Sequence, residues 1–194
     1  KLVLAGIGTR VKAFVVTVCE LQYLSIIMII YITNSISRPK LWWRRADTVA
    51  FYAKKKTLLA ASDVKGNVAK EILASKSGAC TLNFYMSVGP KKVAEALAAV
   101  SGVDQQILSQ FQQKLNDAIG EENMAPGQEI SLVWKDDGTL VVTVRKHSTF
   151  QFKNKELAEG LLRMYVGKEG VSPSLIQDME AWNQKISETL HSCW

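Results

Sequence analysis

The sequence predicts an α+β domain built on an antiparallel β-sheet with helices packed on one face. Three observations predict it. Short runs rich in β-branched and aromatic residues, bounded by Gly and Asp turns, recur from the N-terminus to Phe152. Helical apolar spacing interrupts them in the middle of the chain and closes it. At 194 residues and 47% hydrophobic, the chain is long enough to bury one substantial core.

The elements follow in order. Leu2 to Val18 reads as a hairpin around Gly6-Ile7-Gly8, running into the β-branched strand Phe14-Val15-Val16-Thr17-Val18. The Gly-x-Gly is not a dinucleotide loop, since neither a third Gly nor a helix follows it. Val49 to Ala53 is a second strand. Ser62 to Ala74 carries Val64, Val68 and Ile72 at helical spacing, with Ser62 or Asp63 as its cap. Ala79 to Val88 is a strand. Pro90, whose fixed φ suits a first helical position, opens a helix through Val100, and Asp104 caps another from Gln105 to Ile119. Glu129 to Trp134 and Thr139 to Arg145 alternate around Asp137-Gly138, a turn pair with a strong hairpin preference. Phe150 to Phe152 adds a strand before two closing helices. Trp134 is expected in the core, whereas Tyr165 and Met164 suit either a cleft lining or the core.

The net charge of +6 is spread over separate runs: Arg38 to Arg45, Lys54-Lys55-Lys56 and Lys91-Lys92. No zinc spacing, RNA-binding aromatic motif or helix-turn-helix accompanies them, so a solvated basic surface is expected and no nucleic-acid partner. Cys19, Cys80 and Cys193 are odd in number and widely spaced, which suits reduced thiols in an intracellular compartment. His147 and His191 are too isolated for metal or triad chemistry, and neither metal nor cofactor is expected. The chain begins at Lys1 without an initiator Met, so a fragment is expected, with plastid and cytoplasm both open.

The run from Phe152 to Trp182 is the most specific. Asn154 caps a first helix, and Leu157, Leu161, Leu162 and Tyr165 form its apolar face. Gly167 stands at its C-cap. Gly170 and Ser172-Pro173 begin a second helix. This order, Asn154-Lys155-x-Leu157 through Tyr165-x-Gly167 to Val171-Ser172-Pro173, closely resembles the C-terminal part of the chalcone isomerase-like fold family. The resemblance implies that family's open-faced β-sandwich as one domain over residues 1–190, interrupted at 19–47. At the other end, Gly6-Ile7-Gly8-Thr9-Arg10 is similar to the family's G-x-G-x-R, which implies that Arg10 lies in the ligand cleft. A guanidinium there would hold a carboxylate through two parallel hydrogen bonds, or stabilise a phenolate or enolate.

In the isomerases, the resemblance implies, that Arg works with a strand Thr and with Tyr, Lys and Asn from the helix after the third strand. Alignment through Gly89 places Lys92, Glu95 and Ala99 at the last three positions. Glu95 would repel an anionic substrate and Ala99 has no donor, so the electrostatic stabilisation that catalysis needs is mostly missing. The strand position holds Cys19, or Tyr if the interruption at 19–47 is spliced out, and neither is the isomerases' Thr. Arg10, Cys19, Thr48 and Lys92 are therefore the candidate ligand-binding residues, with no residue assigned to catalysis. The expected function is binding of a fatty acid or similar small anion without turnover; the alternative is an intramolecular lyase that closes a chalcone to a flavanone.

Residues 19–47 stand apart. Leu24-Ser25-Ile26-Ile27-Met28-Ile29-Ile30-Tyr31-Ile32 is too short for a bilayer span, and contact with a membrane is expected only if this segment is translated. A retained intron explains it better. The family's second strand runs unbroken through a V-x-V-Y-A-V-G-x-Y pattern, and only the Tyr separates Val16-Thr17-Val18 from Thr48-Val49-Ala50-Phe51-Tyr52. If Cys19-Glu20 is encoded TGT GAR and Ala46-Asp47 is encoded GCA GAY, an intron bounded by GT and AG leaves T joined to AY, which always encodes Tyr.

Overall fold

The computed structural model describes residues 2–6, 47–54, 57, 68–167, 175, 177, 179 and 180. Within them the strands are β1 (Leu2–Gly6), β2 (Asp47–Lys54), β3 (Gly78–Phe84), β4 (Glu129–Trp134), β5 (Thr139–Val144) and β6 (Ser148–Lys153). The helices are α1 (Val68–Ser75), α2 (Pro90–Ala98), α3 (Gln105–Ile119) and α4 (Lys155–Val166). All six strands form one antiparallel sheet in chain order. The helices between β2 and β4 are therefore excursions that return to the neighbouring position.

Strand alternation divides the sheet. Cys80, Leu82, Phe84, Ile130, Leu132, Trp134, Leu140, Val142 and Val144 are buried and share one core with Ile72, Leu97, Phe111, Leu115, Leu157 and Leu161 of the helices. On the other face, Thr81, Asn83, Ser131, Val133, Val141 and Thr143 are half-buried. The α+β architecture with helices on one face is thus as the sequence predicts.

Local chemistry accounts for the element ends. Asp104 accepts the Gln106 and Ile107 amides at 2.8 and 3.4 Å, and Gly120, at φ 75°, closes α3 by donating to Asn116 O. Asn154 Oδ1 accepts the Leu157 amide at 2.8 Å to start α4. Gly138, at φ 80°, turns the β4–β5 hairpin, which Asp137 secures by accepting the Thr139 amide at 2.9 Å. Gly167 is extended, not left-handed, at φ −75° and ψ 165°. Its glycine requirement is steric, because a Cβ there would lie 2.4 Å from Arg163 O.

Three boundaries differ from the sequence expectation. The third strand stops at Phe84, where exposed Tyr85 and Met86 leave the sheet, and Val88 makes only an isolated bridge to Met124. The helix from Pro90 ends at Ala98, where Val100 N–H turns back to Ala98 O at 2.8 Å. β5 ends at Val144, because Arg145 and Lys146 both take positive φ in the turn. The Phe14–Val18 strand, the start of the helix predicted from Ser62, Cys193 and Ser172-Pro173 lie outside the described residues. Beyond Gly167, Leu175, Gln177, Met179 and Glu180 are helical, with Leu175 and Met179 buried one turn apart.

Close packing of α4 yields a prediction. A Cβ on Gly160 would meet Val100 Cγ1 at 2.4 Å and Val103 Cγ2 at 3.3 Å. In a free helix Gly160→Ala would stabilise by about 1 kcal/mol; here overpacking outweighs that, and a net loss of roughly 1–3 kcal/mol is expected. Thermal melts of Gly160→Ala, alone and combined with Val100→Ala, check this. The two changes should couple favourably, since the second removes the clash of the first.

Acid should weaken the fold in a defined window. The Thr139 amide holds the Asp137 carboxyl below its ordinary range, and Lys76, 2.7 Å away, does the same for Glu159. Depressed folded values mean that this stabilisation is complete above the unfolded values, about 3.9 and 4.3, and is lost as pH falls through the folded ones. Denaturant midpoints measured from pH 6 to pH 2 should fall on that limb, and less steeply in the Asp137→Asn, Glu159→Gln double variant.

Candidate functional site

Of the four residues that the sequence singles out, two fall within the described structure. Arg10 and Cys19 lie outside the described residues. Thr48 stands in β2 directly opposite Asn83 of β3, while its neighbour Asp47 stands opposite Phe84. Asn83 is half-buried on the face turned away from the helices, and Phe84 is buried beneath them. Thr48 thus belongs to the register row of the open face, beside an amide that the sequence alone did not mark. Only the pairing of β2 with β3 identifies it.

Lys92 is in the first turn of α2, and it is exposed. Pro90 sets that helix, and Val93, Ala94 and Leu97 fix its rotation by burying in the core. The spacing then turns Lys92, Glu95 and Ala99 to the opposite side, where all three are exposed. This surface offers a cation, a carboxylate one helical turn later and a methyl group. None of these three side chains is an amide or a phenol. Since α2 packs against the buried side of the sheet, the structure does not bring Lys92 and the Thr48–Asn83 row onto one face.

The core beneath the helices is filled by large side chains. Trp134 stacks on Phe51 at 5.8 Å and meets the edge of Tyr165 at 6.2 Å. Its indole Nε1 donates to Ala158 O at 2.9 Å. Trp134 and Tyr165 are therefore core residues here, and Met164 packs half-buried against the same cluster. Cys80 is buried, and desolvation raises its thiol pKa far above the ordinary range, so it is a poor nucleophile.

A shallow crevice between the β4–β5 hairpin and α4 is lined by Lys76, Lys135, Asp136, Lys155, Glu159 and Leu162. Its mixed charges include the Lys76–Glu159 ion pair, and of the two described candidate residues neither Thr48 nor Lys92 lines it. Among the described residues, no group of three or more His, Cys, Asp or Glu is placed to hold a metal, and no helix is long and apolar enough to cross a membrane.

Arg145 is the polar residue that sequence reading missed. From the end of β5 its Nε donates to Gln128 Oε1 at 2.9 Å and Nη1 to Ile119 O at 2.8 Å. Its Nη2 donates to the carbonyls of Glu122 and Asn123 at 2.9 and 3.0 Å. With its donors turned to the chain itself, this guanidinium ties α3 and the following loop to the sheet.

Comparison with known proteins agrees with this architecture. The profile of the family described as chalcone isomerase-like matches residues 59–179. The crystal structure of a fatty-acid binding protein of Arabidopsis thaliana superposes with a TM-score of 0.54. That match covers 73% of this chain and 80% of the other at 18% identity, a likeness of fold. No curated protein sequence gives a significant match.

Proposed function

We propose that this chain, which belongs to the chalcone isomerase-like family, binds a fatty acid or similar small anionic amphiphile and does not catalyse isomerisation. The observation that carries the reading is the exposed side of α2. Where the isomerases' helix would supply Tyr, Lys and Asn, this helix carries Lys92, Glu95 and Ala99. A developing enolate needs donors placed in advance of the reaction, and here a carboxylate and a methyl stand at two of the three places. The Arabidopsis neighbour of the same fold, described as fatty-acid binding, supports binding as a use of this scaffold.

In this reading Arg10 carries recognition. A carboxylate leaving water must gain charge-assisted hydrogen bonds to offset its desolvation, and a guanidinium supplies two in one plane. Lys92 adds long-range attraction from the surface. The acyl chain contributes through apolar burial, at about 0.8 kcal/mol per methylene.

Native mass spectrometry with palmitate and with its methyl ester tests this. The acid should form a one-to-one complex and the ester should bind at least tenfold more weakly. Arg10→Ala should remove that preference. Equal binding of acid and ester would contradict a carboxylate-directed site.

A further inference from the structure

We infer that the loop from Tyr85 to Gly89 and the loop from Asn123 to Gln128 together form a docking tip for a zwitterionic lipid surface, with Tyr85 and Met86 as the side chains that enter it. These are the two exposed large hydrophobic residues among those described, at 53% and 44% exposure. They are adjacent, and the backbone keeps them from folding back. On one side the Phe84 amide donates to Gln128 O at 3.0 Å and the Gly127 amide to Phe84 O at 2.8 Å. On the other, Val88 and Met124 exchange amide hydrogen bonds at 3.0 and 2.9 Å, and Asn123 Nδ2 donates to Ser87 Oγ at 3.1 Å. Between these two staples Tyr85, Met86 and Ser87 bulge outward, all exposed. The facing loop is equally fixed. Gln128 N donates to Ala125 O at 3.1 Å, and Gly127 takes φ 83° after Pro126, the dihedral that a Pro-Gly turn requires. Arg145 holds Gln128 Oε1 and Asn123 O from the sheet. A tip fixed in advance loses little freedom on contact.

The chemistry of the tip selects the partner. No residue from Phe84 to Pro90 or from Asn123 to Gln128 carries a charge. A tyrosine whose ring is apolar and whose hydroxyl stays wet suits the headgroup level of a bilayer. An unbranched methionine adapts to the irregular apolar layer below it. The charges that flank the loops are of both signs: Lys91 and Lys92 after the first, Glu121 and Glu122 before the second, all exposed. They complement headgroups that join a phosphate to an ammonium, and they give no net attraction to an anionic surface. A second copy of the chain is the poorer occupant. A stable protein interface takes about 800 Å² from each partner, whereas one aromatic side chain contributes at most about 250 Å². Docking of this kind needs no bound fatty acid, so vesicle binding tests it apart from the ligand-binding reading.

Co-sedimentation of the full chain with phosphatidylcholine vesicles free of fatty acid is the experiment. The protein should pellet with them, and no more strongly when phosphatidylserine is added. Tyr85→Ser combined with Met86→Ser should weaken binding by about fivefold or more. Its melting temperature should match the parent's, since neither side chain belongs to the core. Tyr85→Trp should bind at least as well as the parent. A parent that stays in the supernatant, or that pellets only with phosphatidylserine, would overturn the inference. A double variant that pellets like the parent would overturn it too, by moving the contact elsewhere on the chain. A dimer that the double variant dissolves, without vesicle binding, would assign the tip to a second copy instead.

Discussion

Trp134→Ala is expected to lower stability by about 4 kcal/mol, near the middle of the range for removing a large aromatic from a core. The indole is 2% exposed and lies where β2, β4 and α4 meet. It stacks on Phe51, meets Tyr165 edge-on, and donates to Ala158 O inside α4. Truncation would open a cavity among three elements and remove the donor that ties the sheet to the helix. For a domain of this size the melting temperature should fall by about 8–16 °C. Trp134→Phe keeps most of the ring area but not the N–H, and should lose only about 1–2 kcal/mol. A Trp134→Ala protein melting within 3 °C of the parent would mean that the core does not converge on β4.

Arg145→Ala should be the next most damaging change, at about 3 kcal/mol. Four hydrogen bonds from a charged donor set would be lost, and the carbonyls of Ile119, Glu122 and Asn123 would be left to water. Arg145→Lys should recover little, because an ammonium cannot reproduce the planar fork that spans Gln128 and the α3 end. The backbone separates the causes. Arg145 sits at φ 52°, a strained region for a side-chain-bearing residue. Arg145→Gly relieves that strain while losing the same bonds, so it should be the milder of the two truncations. Denaturant titrations of the three variants would give the order, and a fully stable Arg145→Lys would contradict the geometric argument.

Much of the fold was legible because its signals are local. Asp104, Asn154 and Asp137-Gly138 act through hydrogen bonds and φ values within a few residues of themselves, so their elements could be placed from sequence. The Arg145-Lys146 turn was not legible. It takes positive φ without Gly or Asn, and its support comes from Gln128 and from carbonyls in the loop after α3, distant in sequence. Tyr85 and Met86 misled in the same way: they have strand-forming character but leave the sheet once the Phe84 amide is taken by Gln128 O at 3.0 Å. For the candidate site, alignment through Gly89 marked Lys92, Glu95 and Ala99, and the structure places all three exposed on α2 and its C-cap. The partnership of Thr48 with Asn83 depends on register between strands, which no single strand encodes.

The central claim is that this domain binds and does not isomerise, and absorbance reports on it directly. The protein is mixed with a 2′-hydroxychalcone and the decay of its visible band is followed against a buffer blank. The account predicts decay at the spontaneous rate, unchanged in Arg10→Ala. Decay far above that rate, abolished by Arg10→Ala, would contradict it and make this chain an enzyme.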